Sequence, residues 1–411
     1  MLYQLHEMQR TMMSPFIQWA EASASILTNP ISPFAHTPFA QRIAAGYELM
    51  YRLGKSYDKP EFGIGSTQVG GHEIAIHQEV ALEKAFCKLL HFRKVLSKKE
   101  EAALKQPRVL IVAPLSGHHS TLLRDTVRAL LPEHDVYISD WIDARMVALS
   151  EGPFHLHDYI YYVQEFIRLL GPEVHVISVC QPTVPVLAAI SLMASKKDPK
   201  LPKTMTMMGG PIDPRKSPTK VNALAMEKKF SWFENTVIYG VPPGYPGFGR
   251  KVYPGFLQHA GFIAMNPGRH AESHNEFYNH LVTGDGESAE AHRQFYDEYN
   301  AVLDMPAEYY LDTIKTVFQE YLLPKGEWKV GGHLVRPQDI KTVALLTVEG
   351  ELDDISGAGQ TQAAHDLCSG IPKNMKQDYV APGAGHYGIF SGRRWRETIC
   401  PKVGAFIKKH A

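Results

Sequence analysis

The stretch EVHVISVCQPTVPVLAAISLMA (173–194) decides the fold. Its first part, VHVISV, is a run of strand-forming residues that stops at one cysteine, Cys180. Gln181 and Pro182 follow, and then an apolar run too long for a strand. The pattern reads as strand, sharp turn and helix, with a thiol at the corner. Such a turn lifts a side chain off the sheet and sets it near a helix N-terminus, whose partial positive charge favours thiolate over thiol. Strand and helix pass close there, so the neighbours should be small. Ser178 meets that need two residues before the cysteine. Pro182, two residues after it, is tolerated if it opens the helix, because that N–H would be unpaired anyway. A cysteine at a strand end is often only a small core residue, so its meaning depends on the rest of the chain.

Outward from this corner the pattern is regular. PRVLIVAPLSG (107–117) reads as a buried strand and a loop, HSTLLRDTVRALLPE as a helix and HDVYISDW as a strand. HLHDYIYYVQEFIRLLGPE reads as a helix, and KTMTMMGGPID (203–213) as the strand after the quoted stretch. Strands alternating with helices predict parallel βαβ units in an α/β fold with an open, mostly parallel sheet. The alternation stops over 214–335, which holds Pro-, Gly- and aromatic-rich segments and helices. It resumes with IKTVALLTVEGELDD, a helix expected at 358–369, and MKQDYVAPGAGHYGIF. The expected organisation is a helical extension with leading strands (1–105), the first part of the core (106–213), a mainly helical cap (214–335) and the second part of the core (336–411). Near the start, Leu2, Leu5, Met8, Met12 and Phe16 recur at helical spacing, which predicts a helix packed on the body by that face. Residues 72–105 read as half strand and half helix, and within them KVLSKKEEAAL predicts a helix capped by Ser97 with Glu100 three residues on.

Composition narrows the function. The chain of 411 residues has 43 basic and 43 acidic side chains, so it carries no electrostatic footprint for nucleic acid. No apolar run approaches the ~20 residues that span a bilayer, and the opening residues make a poor secretory signal. Cys87, Cys180, Cys368 and Cys400 lie far apart with no C-x-x-C pair, which fits free thiols in a reducing, cytoplasmic compartment.

Two later segments give the cysteine partners. A nucleophile on a strand-to-helix turn is the elbow of α/β-hydrolases, where the acid and then the histidine follow in chain order. TVALLTVEGELDD puts Asp353 and Asp354 just beyond a late strand. Only one can be the acid, and the G-x-x-D spacing from Gly350 favours Asp353. The bland alternative for either is a loop acid or a helix cap near Ser356. YVAPGAGHYGIFSG puts His386 in a glycine-rich loop after the last strand. Its ordinary pKa lets an imidazole take a proton from a thiol and return it to a leaving group. An oxyanion hole needs the backbone N–H after the nucleophile, Gln181, and a second donor from the loop APLSGHH (113–119). Leu115, Ser116 and His118 are the candidates, with Ser116 carried forward. His118 and His119 lack a third ligand at recognisable spacing, so no metal or other cofactor is expected. The aromatics Tyr245, Phe248, Tyr253, Phe256 and Phe262 read first as cap core, and their number over a cleft hints at an apolar substrate.

SVCQPTVPVLAA, TVEGELDDISG and PGAGHYGIFSGRRWR resemble the intracellular polyhydroxybutyrate depolymerases, and the likeness extends to the opening MLYQLHEMQR. The resemblance implies a cytoplasmic, granule-associated α/β-hydrolase that cleaves poly(3-hydroxybutyrate) to oligomers and monomer. Carried over by position, Cys180 is the nucleophile, His386 the base and Asp353 the acid. The implied partner is the polyester granule surface, with no nucleic acid and no transmembrane segment. The oligomeric state is left open, a homo-oligomer included. VLIVAPLSGHHSTLLRDTVRALL and MPAEYYLDTIKTVFQEYLL also resemble the polyester synthases that build the same polymer. Those enzymes carry the elbow as G-x-C-x-G-G, which the Cys-Gln-Pro-Thr run here does not match. A synthase or related acyltransferase is one alternative reading, and a non-catalytic granule-binding protein is another.

Overall fold

The strands read from the alternation assemble, in a computed structural model, into one nine-stranded sheet. The structure describes residues 2–29, 31, 35, 37–265 and 267–411. In chain order the strands are β1 (Ser66–Val69), β2 (His72–Glu83), β3 (Cys87–Lys94), β4 (Arg108–Val112), β5 (Asp135–Trp141), β6 (Val174–Val179), β7 (Thr204–Met208), β8 (Ala344–Gly350) and β9 (Lys376–Ala381). Their order across the sheet is β1-β2-β3-β5-β4-β6-β7-β8-β9. The first three strands and the β3/β5 pair are antiparallel; the pairs from β5 to β9 are all parallel. Every residue of β6, β7 and β8 is buried. That burial on both faces explains why these strands read as continuous apolar runs: parallel strands are covered by helices above and below.

The helices that matter for the site are α1 (Leu2–Thr28), α2 (Pro38–Gly54), α3 (Leu156–Leu170), α4 (Thr183–Ser195), α5 (Lys220–Glu227), α6 (Gly255–Met265), α7 (Pro267–Thr283), α8 (Gly286–Asn300) and α9 (Ala307–Thr313). The switch point of the sheet lies where the chain leaves β4 towards β5 on one side and β6 on the other. The loops beyond the C-terminal ends of β4, β6, β7 and β8 therefore open on one crevice, the place where open α/β sheets bind ligands.

Three expectations need correction. The segment expected as a helix at 358–369 is a run of turns followed by the short helix Ala364–Leu367. Residues 72–105 are mostly strand, with one short helix, Lys98–Ala103, whose capping box joins Ser97 and Glu100 as read. The third concerns α1, which packs by a different face from the expected one. Its buried residues are Tyr3, Ile17, Ala20 and Ala24. Leu2, Leu5, Met8, Met12 and Phe16 are exposed. Small alanines let α1 approach α2 closely, so the larger apolar side chains are turned outward.

Between β7 and β8 the chain runs out over the crevice. A small antiparallel sheet joins Tyr239–Gly240, Lys251–Tyr253 and Met305–Pro306. A buried polar cluster fastens it. Asp304 accepts from the Tyr3 hydroxyl at 2.7 Å and from Gly255 N at 2.8 Å, while its own N–H donates to Asp143. Among the described residues no helix is long and apolar enough to cross a membrane.

Candidate active site

Cys180 follows β6 directly. Its backbone N–H donates to Met208 O at 2.7 Å, which holds the corner against the end of β7. Its φ is +67°, a left-handed conformation rare for a residue with a side chain. Non-glycine residues persist there only where the surroundings over-determine them, and such positions cluster at functional sites. Pro182 occupies the N-cap of α4, and Pro185 falls in its first turn, so neither proline removes an N–H that the helix would have used. Ser178, two residues before Cys180, is fully buried and donates to Thr206 O.

Two loops bring the other side chains to this corner. His386 begins a short helical turn after β9 and is only 5% exposed. Its Nδ1 lies 2.8 Å from Asp353 Oδ2, and the same ring interacts electrostatically with Cys180. Asp353 Oδ1 accepts from Ile355 N at 2.9 Å and Ser356 N at 2.8 Å, so both carboxylate oxygens are engaged and the group is fixed in place. Asp354 is exposed, and of the two acids it is Asp353 that lies against the His386 ring. Burial works against a positive charge on His386. Its electrostatic interaction with Cys180, its hydrogen bond to Asp353 and the charge of Asp353 outweigh it and raise the imidazole to about 10.

Residues 209–411 match the family model described as "PHB de-polymerase C-terminus". Over that stretch, just under half of its length, the chain is similar to the PHB depolymerases, and its mostly parallel sheet with covering helices is an α/β fold. No curated protein is significantly similar to it in sequence. Similar solved structures include the 2-hydroxy-6-oxo-6-phenylhexa-2,4-dienoate hydrolase (BphD) from Rhodococcus sp. strain RHA1. That structure is 11% identical with a TM-score of 0.45, over 82% of this chain and 99% of that one. A monoacylglycerol lipase from Paleococcus ferrophilus is 14% identical with a TM-score of 0.43, over 74% of this chain and 95% of that one.

Cys180 differs from its three fellow cysteines. Cys87, Cys368 and Cys400 are buried, and burial pushes all three thiols up, the last two to about 12. Cys180 is partly exposed and lines a cavity of about 370 Å³ with walls that are mainly apolar. The floor holds Cys180, Gln181, His386 and the loop residues Leu115 and Ser116. The roof comes from α5, α6, α9 and the residues after α9, among them Leu224, Phe262, Tyr309 and Phe318.

The loop 113–119 is tied to that roof. His118 donates from Nε2 to Tyr299 O at 3.1 Å and stacks on Phe262 with ring centroids 4.7 Å apart. Burial pulls the His118 imidazole down to about 4. Burial and the nearby Lys59 and Arg145 charges pull His119 down to about 3. Both rings are therefore neutral near pH 7, and His118 is a cavity wall. Among the described residues the group of side chains placed to share a metal ion is His155, His157 and Asp312, which includes neither of them. Of the aromatics singled out from sequence, Tyr253 and Phe262 line the cavity. Phe256 stacks on His6, Tyr245 bonds Glu7, and Phe248 is 58% exposed.

Several residues that build the site had no signal in the local pattern. Gly209 has φ +56° and sits where a Cβ would come within 2.6 Å of Ile389 Cδ1 and 3.3 Å of Asp353 Oδ2. At Gly210 a Cβ would collide with Thr183 Oγ1 and the Cys180 carbonyl. Tyr309, fully buried on α9, donates its hydroxyl to Gln181 Oε1 at 2.6 Å. Gly-Gly in MMGGPID was a visible cue for close approach beyond a strand; Tyr309 offered none.

Proposed function

We propose that the protein is a cytoplasmic, granule-associated poly(3-hydroxybutyrate) depolymerase acting through Cys180, His386 and Asp353. The observation that carries this reading is His386, bonded to Asp353 and set in the same cavity floor as the thiol at the elbow. A cavity with mostly apolar walls suits a polymer of methyl, methylene and ester groups. Four free thiols suit a reducing compartment.

The chemistry is acyl transfer in two halves. Asp353 fixes the ring orientation of His386 and stabilises the imidazolium. His386 takes the proton of the Cys180 thiol, the sulfur attacks an ester carbon, and the C–O bond breaks as His386 gives that proton to the departing alkoxide. One chain leaves with a new hydroxyl end, and the other stays as a thioester on Cys180. Water then attacks the thioester. His386 takes the water's proton and returns it to the leaving sulfur, and the acid product departs. The Gln181 N–H donates to no other group among the described residues and is assigned to the oxyanion. Ser116 is the partner assigned from loop 113–119. Each such donor contributes about 3 kcal/mol to the transition state. The segment 214–335 acts as the cap, with its helices roofing the chain in the cavity.

The test is mass spectrometry of the protein quenched during turnover of amorphous poly(3-hydroxybutyrate). A 3-hydroxybutyryl adduct is expected on the peptide that contains Cys180. Cys180→Ala should lose the adduct and the hydrolysis together. Turnover without an adduct, or hydrolysis by the alanine variant, would overturn the assignment. Incubation with 3-hydroxybutyryl-CoA should yield no polymer; lengthening of polymer with release of CoA would point to a synthase.

A further inference from the structure

The outward face of α1 is an apolar stripe that the described residues leave largely exposed; Trp19 meets Tyr47 of α2 edge-on, with ring centroids 5.0 Å apart. Leu5, Met8, Met12, Phe16, Trp19 and Ile26 are spaced by three, four or seven residues and share one side of the helix. They are 52%, 58%, 73%, 45%, 50% and 68% exposed. From Leu5 to Ile26 the stripe runs roughly 30 Å at 1.5 Å per residue. Isolated exposed apolar residues are ordinary, but a continuous patch of this kind marks an interaction site.

The charges on α1 show what the stripe can meet. The helix has three charged residues, Glu7, Arg10 and Glu21, and each is bonded away from the stripe. Glu7 accepts from Arg10 at 2.7 Å and from Tyr245 at 2.8 Å; Arg10 also donates to Ser56 at 2.8 Å. Glu21 accepts from Tyr51 on α2. The residues between the apolar positions on that face, Gln9 and Ser23, are neutral donors. Helices that bind anionic bilayers carry many lysines and arginines beside their apolar face, and this one has a single, engaged arginine. An uncharged aliphatic ester surface, with methyl groups to contact and carbonyls to accept hydrogen bonds, complements a face that is apolar and uncharged.

The helix is also fixed beside the site. His6 stacks on Phe256 with centroids 4.0 Å apart, and α6, which carries Phe256, also presents Phe262 to the cavity. Tyr3 bonds Asp304, next to the small roof sheet. We infer that α1 is the element that seats this protein on the solid polyester, holding the cavity roof against the surface from which chains are drawn. This inference rests on the depolymerase reading and assigns the surface contact to a face distinct from the catalytic cavity.

The experiment uses the full chain with Leu5→Gln, Met12→Gln and Phe16→Gln combined. All three are exposed, so the change removes no core packing. Three measurements are made: co-sedimentation with amorphous poly(3-hydroxybutyrate) particles, hydrolysis of those particles, and hydrolysis of soluble p-nitrophenyl butyrate. The triple variant should bind and degrade particles roughly tenfold less well, while p-nitrophenyl butyrate hydrolysis stays at the wild-type level. Phe248→Gln, on the exposed loop of the insertion, should leave particle binding unchanged. Wild-type particle binding by the triple variant would overturn the inference. So would equal binding of the wild-type protein to phosphatidylglycerol vesicles, or a dimer in sedimentation velocity that the triple variant dissolves without loss of particle binding. If the depolymerase reading itself fails, p-nitrophenyl butyrate hydrolysis and the Cys180 adduct are absent in the wild-type protein as well.

Discussion

At the scale of single residues the proposed mechanism is one of proton handling by three side chains. Because the His386 imidazole is raised to about 10, it holds its proton below that pH and loses it above. In the proposed mechanism acylation needs that proton for the departing alkoxide, so the rate on a soluble ester should fall as pH rises through about 10. Asp353→Asn replaces a carboxylate by a neutral amide and weakens the hold on the imidazolium. The alkaline limb should then move to lower pH, and kcat should drop by roughly 10²–10⁴ at neutral pH. Asp354→Asn changes an exposed side chain that has no bond to the ring, and its pH–rate profile should overlay that of the wild type. An Asp354 variant with the larger loss would reassign the acid.

At the scale of elements the decisive feature is how closely the end of β7 passes the elbow. The Gly209–Gly210 pair lets Met208 O reach the Cys180 N–H while leaving room for Thr183 and Asp353. Gly210→Ala puts a methyl into the Cys180 carbonyl and Thr183, and overpacking of this kind costs about 1–3 kcal/mol. Urea denaturation should show that loss, and activity per folded molecule should fall because the elbow itself must shift; full activity would mean that the turn tolerates displacement. This tertiary contact also marks the limit of what the sequence makes legible. The turn at Cys180 is local: a strand run, a corner and two early prolines declare it within a dozen residues. The loop of the proposed histidine declares itself by its glycines, and the proposed acid to within one residue. By contrast, two glycines after a strand say that something approaches but not what. For α1 the helical period is plain, yet the choice of buried face turned on alanines that allow close approach to α2 and not on the larger side chains. Tyr309 reaches Gln181 across 128 residues of chain, and no local pattern encodes such a meeting.

At the scale of the whole molecule the question is whether the proposed cap swings or stays. Its contacts argue for a roof that is bolted down. Arg250 is 2% exposed and spends its guanidinium on three carbonyls of the core: Nε donates to Val147 O at 3.0 Å, Nη1 to Gly152 O at 2.7 Å, and Nη2 to Ala148 O. It also stacks 5.0 Å over the Phe86 ring. Farther along the insertion Asp312 Oδ2 lies 2.9 Å from His155 Nδ1 at the start of α3, and Tyr309 bonds the elbow. Cap and core should therefore unfold together. Arg250→Met keeps most of the side-chain volume but leaves three carbonyls without donors in a buried site. Hydrogen bonds to charged groups contribute about 1.5–3 kcal/mol each, not additively, so the variant should lose on the order of 3 kcal/mol in urea denaturation. Arg250→Lys should recover little, since one ammonium cannot serve a fork of three acceptors. The transition should remain single in both variants, followed by tryptophan fluorescence and by circular dichroism. A cap that moves as an independent lid would instead show a separate early transition in Arg250→Met, with the midpoint of the core unchanged.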